Sequence, residues 1–166
     1  MLTNIRWKKH LRTLALFLLV FLLIRAYQLY DYATGPAPEF SAISLANTKI
    51  DLQQLRGKPV LVYFWATWCP ICKFHKQTIE DLSQDHTVIT VASWSDDLDQ
   101  IQNYFTDPRL LAMTLHDPDG ELAVRYGVGA VPSFFILDSA GNIRFVERGF
   151  TSSMGLRLRL FITEYL

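Results

Sequence analysis

Residues Val60 to Cys72 read V-L-V-Y-F-W-A-T-W-C-P-I-C, and the order of elements in this stretch decides the fold. Val60 to Trp65 is an unbroken run of β-branched and aromatic residues, the pattern of a strand buried on both faces. Such a strand needs helices on either side and belongs at the centre of an α/β sheet. Pro70 suits the first position of a helix. Residues 71–84 then carry Ile71, Phe74, Ile79 and Leu82 among polar residues, as an amphipathic helix does.

Working outward, Phe40 to Ile50 with Asp51-Leu52 reads as a short hairpin or extended arm turning at Asn47-Thr48. Val88 to Ala92 reads as a second buried strand. Leu98, Ile101 and Phe105 predict a helix over 98–105 that stops before Asp107-Pro108, and the acids Asp96, Asp97 and Asp99 read as its cap. Leu115 to Asp117 is a brief strand, followed by the turn D-P-D-G and a short helix from Glu121 to Tyr126. Ser133 to Leu137 and Ile143 to Glu147 flank D-S-A-G-N, a hairpin signal, and a helix is expected from about Gly155 to Tyr165. The order β-α-β-α-β-α-β-β-α predicts an α/β arrangement ending in an antiparallel hairpin. G-V-G-A-V-P at 127–132 follows a helix and precedes a strand, the reverse of a dinucleotide-binding loop.

The chain has 166 residues, half of them apolar, enough for one ordinary domain and too apolar for a disordered or fibrous chain. Its 16 basic and 16 acidic side chains cancel, and no basic excess suggests a nucleic-acid partner. The zero is nevertheless a sum of two unlike parts. Arg6, Lys8, Lys9, Arg12 and Arg25 fall within the first thirty residues, which hold no acid, so the remaining 136 residues carry the compensating negative charge.

Leu14 to Ile24 is an apolar run of eleven residues. Extended over 11–30 it reaches the length of about 20 residues that a membrane span needs, with Arg12 and Arg25 near its ends and Tyr27, Tyr30 and Tyr32 as an aromatic belt. The bulky residues after Ile24 offer no small-x-small cleavage site, so the expectation is an uncleaved signal anchor. Residues 1–10 would be its cytoplasmic basic flank and 31–38 a linker. The basic cluster before the run keeps the N-terminus cytoplasmic, so residues 39–166 would form an exported domain behind a single span.

Cys69 and Cys72 are the only cysteines. A structural bridge over so short a loop would restrict little chain entropy. Structural zinc usually takes four protein ligands, and His75, His86 and His116 show no paired spacing. Redox chemistry fits the placement better. At a helix N-terminus, unpaired N–H groups and the dipole favour an anion, so Cys69 is expected to be the exposed attacking thiolate. Cys72, one turn inward, would resolve the mixed disulfide. Neither metal nor other cofactor is needed for that exchange.

The run Val60 to Cys72, together with G-A-V-P-S-F-F-I-L-D at 129–138, resembles the thioredoxin superfamily over about Glu39 to Leu166. The resemblance implies a thioredoxin fold, a central mixed sheet flanked by helices. It also implies a cis Val131-Pro132 bond facing the disulfide, where the Val131 backbone pairs with a substrate strand, and a Trp68 that covers the site. Pro70 and Ile71, between the cysteines, would tune the pair without fixing its potential. The N-terminal anchor and the W-C-P-x-C site are similar to the membrane-anchored TlpA-like branch. The run E-R-G-F-T-S-S-M-G-L-R-L-R-L at 147–160 resembles the suppressor-of-copper-sensitivity protein D group of protein disulfide oxidoreductases.

Two positions depart from the family pattern. Tyr63 stands where thioredoxins carry a buried Asp, and His75 where many TlpA-like proteins carry Glu. His75 is a possible proton acceptor for Cys72, although a solvent-facing position on the helix is the expected one. Glu80 reads as a surface acid, and Trp65 equally well as core. The function the resemblance implies is thus a thiol–disulfide oxidoreductase tethered by a single pass to the bacterial inner membrane, its catalytic domain in the periplasm, tilted towards reduction. It would act on substrate proteins bearing disulfides, with a membrane thiol electron donor restoring the dithiol. The alternative is a copper(I)-handling protein on the same fold, with the two thiolates and a distant His116 as ligands.

Overall fold

In the computed structural model, which describes residues 3–29 and 32–165, contacts divide the chain between residues 31 and 32. The first unit holds one helix, α1 (Thr3–Leu29), whose side chains from Leu11 to Ile24 are all exposed. Among the described residues no helix is long and apolar enough to cross a membrane. The side chains of Arg6, Lys8, Lys9, Arg25, Tyr27 and Tyr30, named above as flank and belt, lie outside the described ones, as does Asp31.

The second unit is built on a six-stranded sheet. Its spatial order is β1 (Gly35–Pro36), β8 (Asn142–Arg148), β7 (Ser133–Leu137), β4 (Val60–Trp65), β5 (Thr87–Ser93) and β6 (Thr114–Asp117). β4, β5 and β6 run parallel, whereas β7, β8 and β1 join antiparallel, so the sheet is mixed. Between the strands lie α2 (Pro70–Asp85), α3 (Leu98–Gln102), α4 (Pro108–Leu111) and α5 (Glu121–Arg125), and α6 (Ser153–Glu164) follows the last strand. This is the thioredoxin-like α/β architecture. β2 (Ser41–Ile43) and β3 (Lys49–Asp51) form the expected arm hairpin, with Asn47 left-handed at its turn (φ 58°).

β4 is the centre, and every one of its six residues is buried. Leu61, Tyr63 and Trp65 share a core cluster with Cys72, Ile79 and Leu82 of α2 and Leu156 and Leu160 of α6. Phe64 instead meets Tyr126 and Phe135. The alternation is the two-residue period of a strand covered on both sides.

Two sequence expectations need correction here. Residues 32–38 are not a linker but part of the domain. Tyr32 is buried with its hydroxyl 2.9 Å from Ser133 Oγ, so it belongs to no aromatic belt. Ala33 N–H donates to Tyr126 O and Ala37 N–H to Gly141 O, and β1 covers the outer edge of β8, which would otherwise be left unpaired. The helix expected over 98–105 ends at Gln102, and a separate helix, α4, follows. Asp107-Pro108, a stop signal by sequence, starts that helix, because Asp107 caps it and proline suits its first position. Asp97 does cap α3, accepting from Gln100 N–H at 3.0 Å.

Candidate active site

Cys69 and Cys72 form a disulfide, with Cα atoms 5.3 Å apart, where β4 hands over to α2. Cys69 is the N-cap of the 16-residue α2, and Pro70 occupies the first turn. Cys72 N–H donates to Cys69 Sγ at 3.1 Å. This donor would stabilise a thiolate at Cys69 once the pair is reduced, adding to the helix dipole. The same sulfur lies 3.7 Å from Val131 O, on the loop whose Val131-Pro132 bond is cis.

The expectation of an exposed Cys69 is not met in this oxidised state. Cys69 is only 3% exposed and Cys72 fully buried, both within the core cluster, and the sulfur of Cys69 lies against the Val131 carbonyl. The apolar side chains around the pair are the exposed ones: Trp68, Ile71 and Phe74. Trp68 is held by a hydrogen bond from its Nε1 to Trp94 O at 2.8 Å.

α2 presents a different face to the core than its apolar residues suggest. The buried stripe is Cys72, His75, Ile79 and Leu82, with Glu80 alongside, whereas Ile71 and Phe74 point outward. His75 is therefore not solvent-facing. Its ring stacks on Phe134 (centroids 5.0 Å) and meets Phe150 edge-on, and its Nε2 accepts from Thr151 N–H at 3.1 Å. That bond occupies the Nε2 lone pair and leaves the ring proton on Nδ1, so Nε2 is not free to take a proton from Cys72. Burial lowers the imidazole pKa from its ordinary value, favouring the same neutral form.

Glu80 is not a surface acid either. It is buried, and its Oε1 accepts from Thr106 N–H at 2.6 Å and from Thr106 Oγ1 at 2.8 Å. Tyr63 is buried and stacked on Phe134 at 4.8 Å, and its hydroxyl has no hydrogen-bond partner among the described residues. Burial, with the neighbouring Tyr104, raises its pKa well above the ordinary phenol value. Trp65 is core, stacked on Tyr104. His116 Nε2 lies 2.8 Å from Ser95 O, and among the described residues no group of three or more His, Cys, Asp or Glu is arranged to hold a metal ion. An open groove of about 510 Å³, lined by Lys58, Asp85, His86 and Glu164 among others, sits at the far ends of β4 and α2 from the disulfide.

The AhpC/TSA family profile matches residues 33–146, more than half of the chain. The chain belongs to the AhpC/TSA family. A thioredoxin-like protein of Haemophilus influenzae is 34% identical over 129 residues, covering 70% of this chain and 77% of that protein. The thiol:disulfide interchange protein DsbE of Escherichia coli is 33% identical over 118 residues, 69% of this chain. The match spans 64% of that relative, a little under two thirds of its length. A secreted Mycobacterium tuberculosis disulfide oxidoreductase of known structure superposes with a TM-score of 0.62 at 25% identity, covering 74% of this chain and 95% of its own. These relatives within the family are named thiol:disulfide interchange proteins and disulfide oxidoreductases with a thioredoxin fold, and a disulfide-forming pair is present here at Cys69 and Cys72.

Sequence reasoning missed Trp94, Phe150 and Thr151. Trp94 takes a left-handed conformation (φ 51°) that no residue pattern announces. The burial of His75 was legible in principle, since positions 72, 75, 79 and 82 lie on one helical stripe.

Proposed function

We propose that the chain is a membrane-tethered thiol–disulfide oxidoreductase of the bacterial periplasm, acting in the reducing direction on disulfides of particular proteins. The observation that carries this reading is the Cys69–Cys72 disulfide at the start of α2, with the Cys72 N–H aimed at Cys69 Sγ. In the reduced protein, the Cys69 thiolate attacks one sulfur of a substrate disulfide, and the other substrate sulfur leaves with the bonding pair and takes a proton from solvent. Cys72 then loses its proton and attacks Cys69 Sγ. The second substrate sulfur leaves as a thiol, and the Cys69–Cys72 disulfide forms. Two electrons have passed to the substrate, and a dithiol donor at the membrane returns them.

Val131 supplies backbone beside the reacting sulfur, where a substrate strand can pair, and Trp68 and Ile71 flank it with apolar surface. α1, with its exposed apolar side chains and the basic residues of its sequence, supports the tether. The tether confines encounters to the membrane surface and raises the effective concentration of a membrane-bound donor. The closing run 147–160 supports placement near the copper-sensitivity group of the TlpA-like branch.

The test is trapping with Cys72→Ser in the full chain. Mixed disulfides between Cys69 and specific envelope proteins are expected to accumulate. Their absence, under conditions where a thiol probe labels Cys69, would overturn the exchange reading. Retention of the chain in membranes washed with alkaline carbonate is expected, and its release would overturn the tether.

A further inference from the structure

Loop 149–151 connects β8 to α6, and two hydrogen bonds fasten it at either end. Gly149 N–H donates to Pro132 O at 2.9 Å, and Thr151 N–H donates to His75 Nε2 at 3.1 Å. The first bond reaches the proline whose preceding carbonyl, that of Val131, faces Cys69 Sγ. The second reaches α2 one turn after Cys72.

Phe150 lies between these two anchored amides. The residue is 73% exposed, and its ring meets that of His75 in a T-shaped contact with centroids 5.4 Å apart. A single exposed aromatic residue needs no explanation. Phe150 is not single, however: Phe74, next in sequence to the His75 that it touches, is exposed as well, as are Trp68 and Ile71 at the start of α2. Phe150 is also the one of these four that comes from another part of the sequence, brought to α2 by the imidazole. A buried, neutral imidazole is a costly way to fasten a surface loop unless the placement of that loop matters.

We propose that His75 is a positioning residue of the exchange site, and that Phe150, held by it, is the apolar wall against which an extended substrate segment docks. The segment suited to it carries a bulky apolar side chain next to its disulfide. The occupant is a polypeptide because whatever exchanges with Cys69 must lie along Val131, and Val131-Pro132 and loop 149–151 are joined by the Gly149 bond. This rests on the exchange reading given above.

The experiment uses the full chain, with dithiothreitol restoring the dithiol. The probes are two synthetic peptides, each with one internal disulfide, carrying phenylalanine or serine beside one cysteine. The wild type is expected to favour the phenylalanine peptide through KM, by roughly tenfold, about what one well-placed apolar contact supplies. Phe150→Ala should raise KM for that peptide about tenfold, with kcat within about twofold, and erase the preference. His75→Leu should do the same and expose the Thr151 amide to hydrogen exchange. His75→Gln, which keeps an acceptor at the reach of Nε2, should restore both KM and amide protection.

Unchanged KM in Phe150→Ala would overturn the proposal, and because Phe150 is exposed that variant tests it even if His75→Leu does not fold. A fall in kcat alone in these variants would overturn it too. Failure of the wild type to reduce either peptide would instead overturn the exchange reading beneath it.

Discussion

Trp68 and Trp94 are joined by one hydrogen bond, from the indole Nε1 of the first to the main-chain carbonyl of the second, at 2.8 Å. The bond ties the residue before the disulfide to the end of β5. Trp94 is itself held in a left-handed conformation, and its ring fills the space above Gly120. A Cβ on Gly120 would lie 2.1 Å from the Trp94 ring, and Gly120 has φ +72°, which side-chain-bearing residues adopt at a cost. Gly120→Ala is therefore expected to lose about 1–3 kcal/mol of stability and to loosen Trp68, although it touches neither cysteine. Urea unfolding measures the first effect and hydrogen exchange of the Trp68 indole N–H the second. Wild-type values in both would show that Trp94 does not set Trp68.

Tyr63 presents a buried hydroxyl with no partner among the described residues, in the layer beneath α2. An unpartnered buried polar group costs about 1–3 kcal/mol, while the ring earns its place by stacking on Phe134. Tyr63→Phe keeps the ring and removes the cost. The variant should be more stable by about 1 kcal/mol. A phenol whose pKa burial raises this far does not ionise to accept a thiol proton, so the exchange rate should persist. A urea midpoint below wild type, or a rate lower by an order of magnitude, would assign the hydroxyl a partner and a role.

Glu80 joins α2 to the segment before α4 through its paired bonds to Thr106 N–H and Oγ1. Truncation strands both donors in a part-buried place. Glu80→Ala is expected to destabilise by about 1.5–3 kcal/mol, the range for hydrogen bonds to a charged group. Thr106→Val removes only the hydroxyl and should cost less. Denaturant unfolding of the pair ranks them, and the reverse ranking would show that the backbone amide is not the main partner.

The parts of the fold that follow from local pattern were legible: the buried run of β4, the helix start at Cys69-Pro70, the hairpin of β7 and β8, and the capping by Asp97. What escaped depends on partners distant in sequence. Glu80 looks like a surface acid until Thr106 is placed against it, 26 residues away. His75 looks solvent-facing until Thr151, 76 residues away, donates to it. Tyr32 looks like a membrane-interface residue until Ser133, 101 residues away, meets its hydroxyl. In the site, the cysteines and the proline loop were readable because their chemistry sits in short motifs. Phe150 was not, because nothing in G-F-T marks a loop tied down at both ends.

His75 also fixes a pH dependence whose sign can be worked out. In the unfolded chain its imidazole titrates near the ordinary value of about 6.5. In the folded protein burial lowers that pKa, and the bond from Thr151 N–H needs the neutral ring. Above the unfolded pKa the ring is neutral in both states, and its contribution to stability is fully present. As pH falls below it, the unfolded chain binds a proton that the folded protein resists, so stability is lost progressively until the lowered folded pKa is reached. His75→Gln cannot bind that proton and keeps the acceptor. Unfolding free energies measured from pH 7.5 down to 5 should therefore fall more steeply in the wild type than in His75→Gln. Every other titratable group is common to both proteins and cancels in the difference. Parallel curves would mean that His75 titrates alike in both states, and a shallower wild-type curve would mean that the folded protein prefers the charged ring.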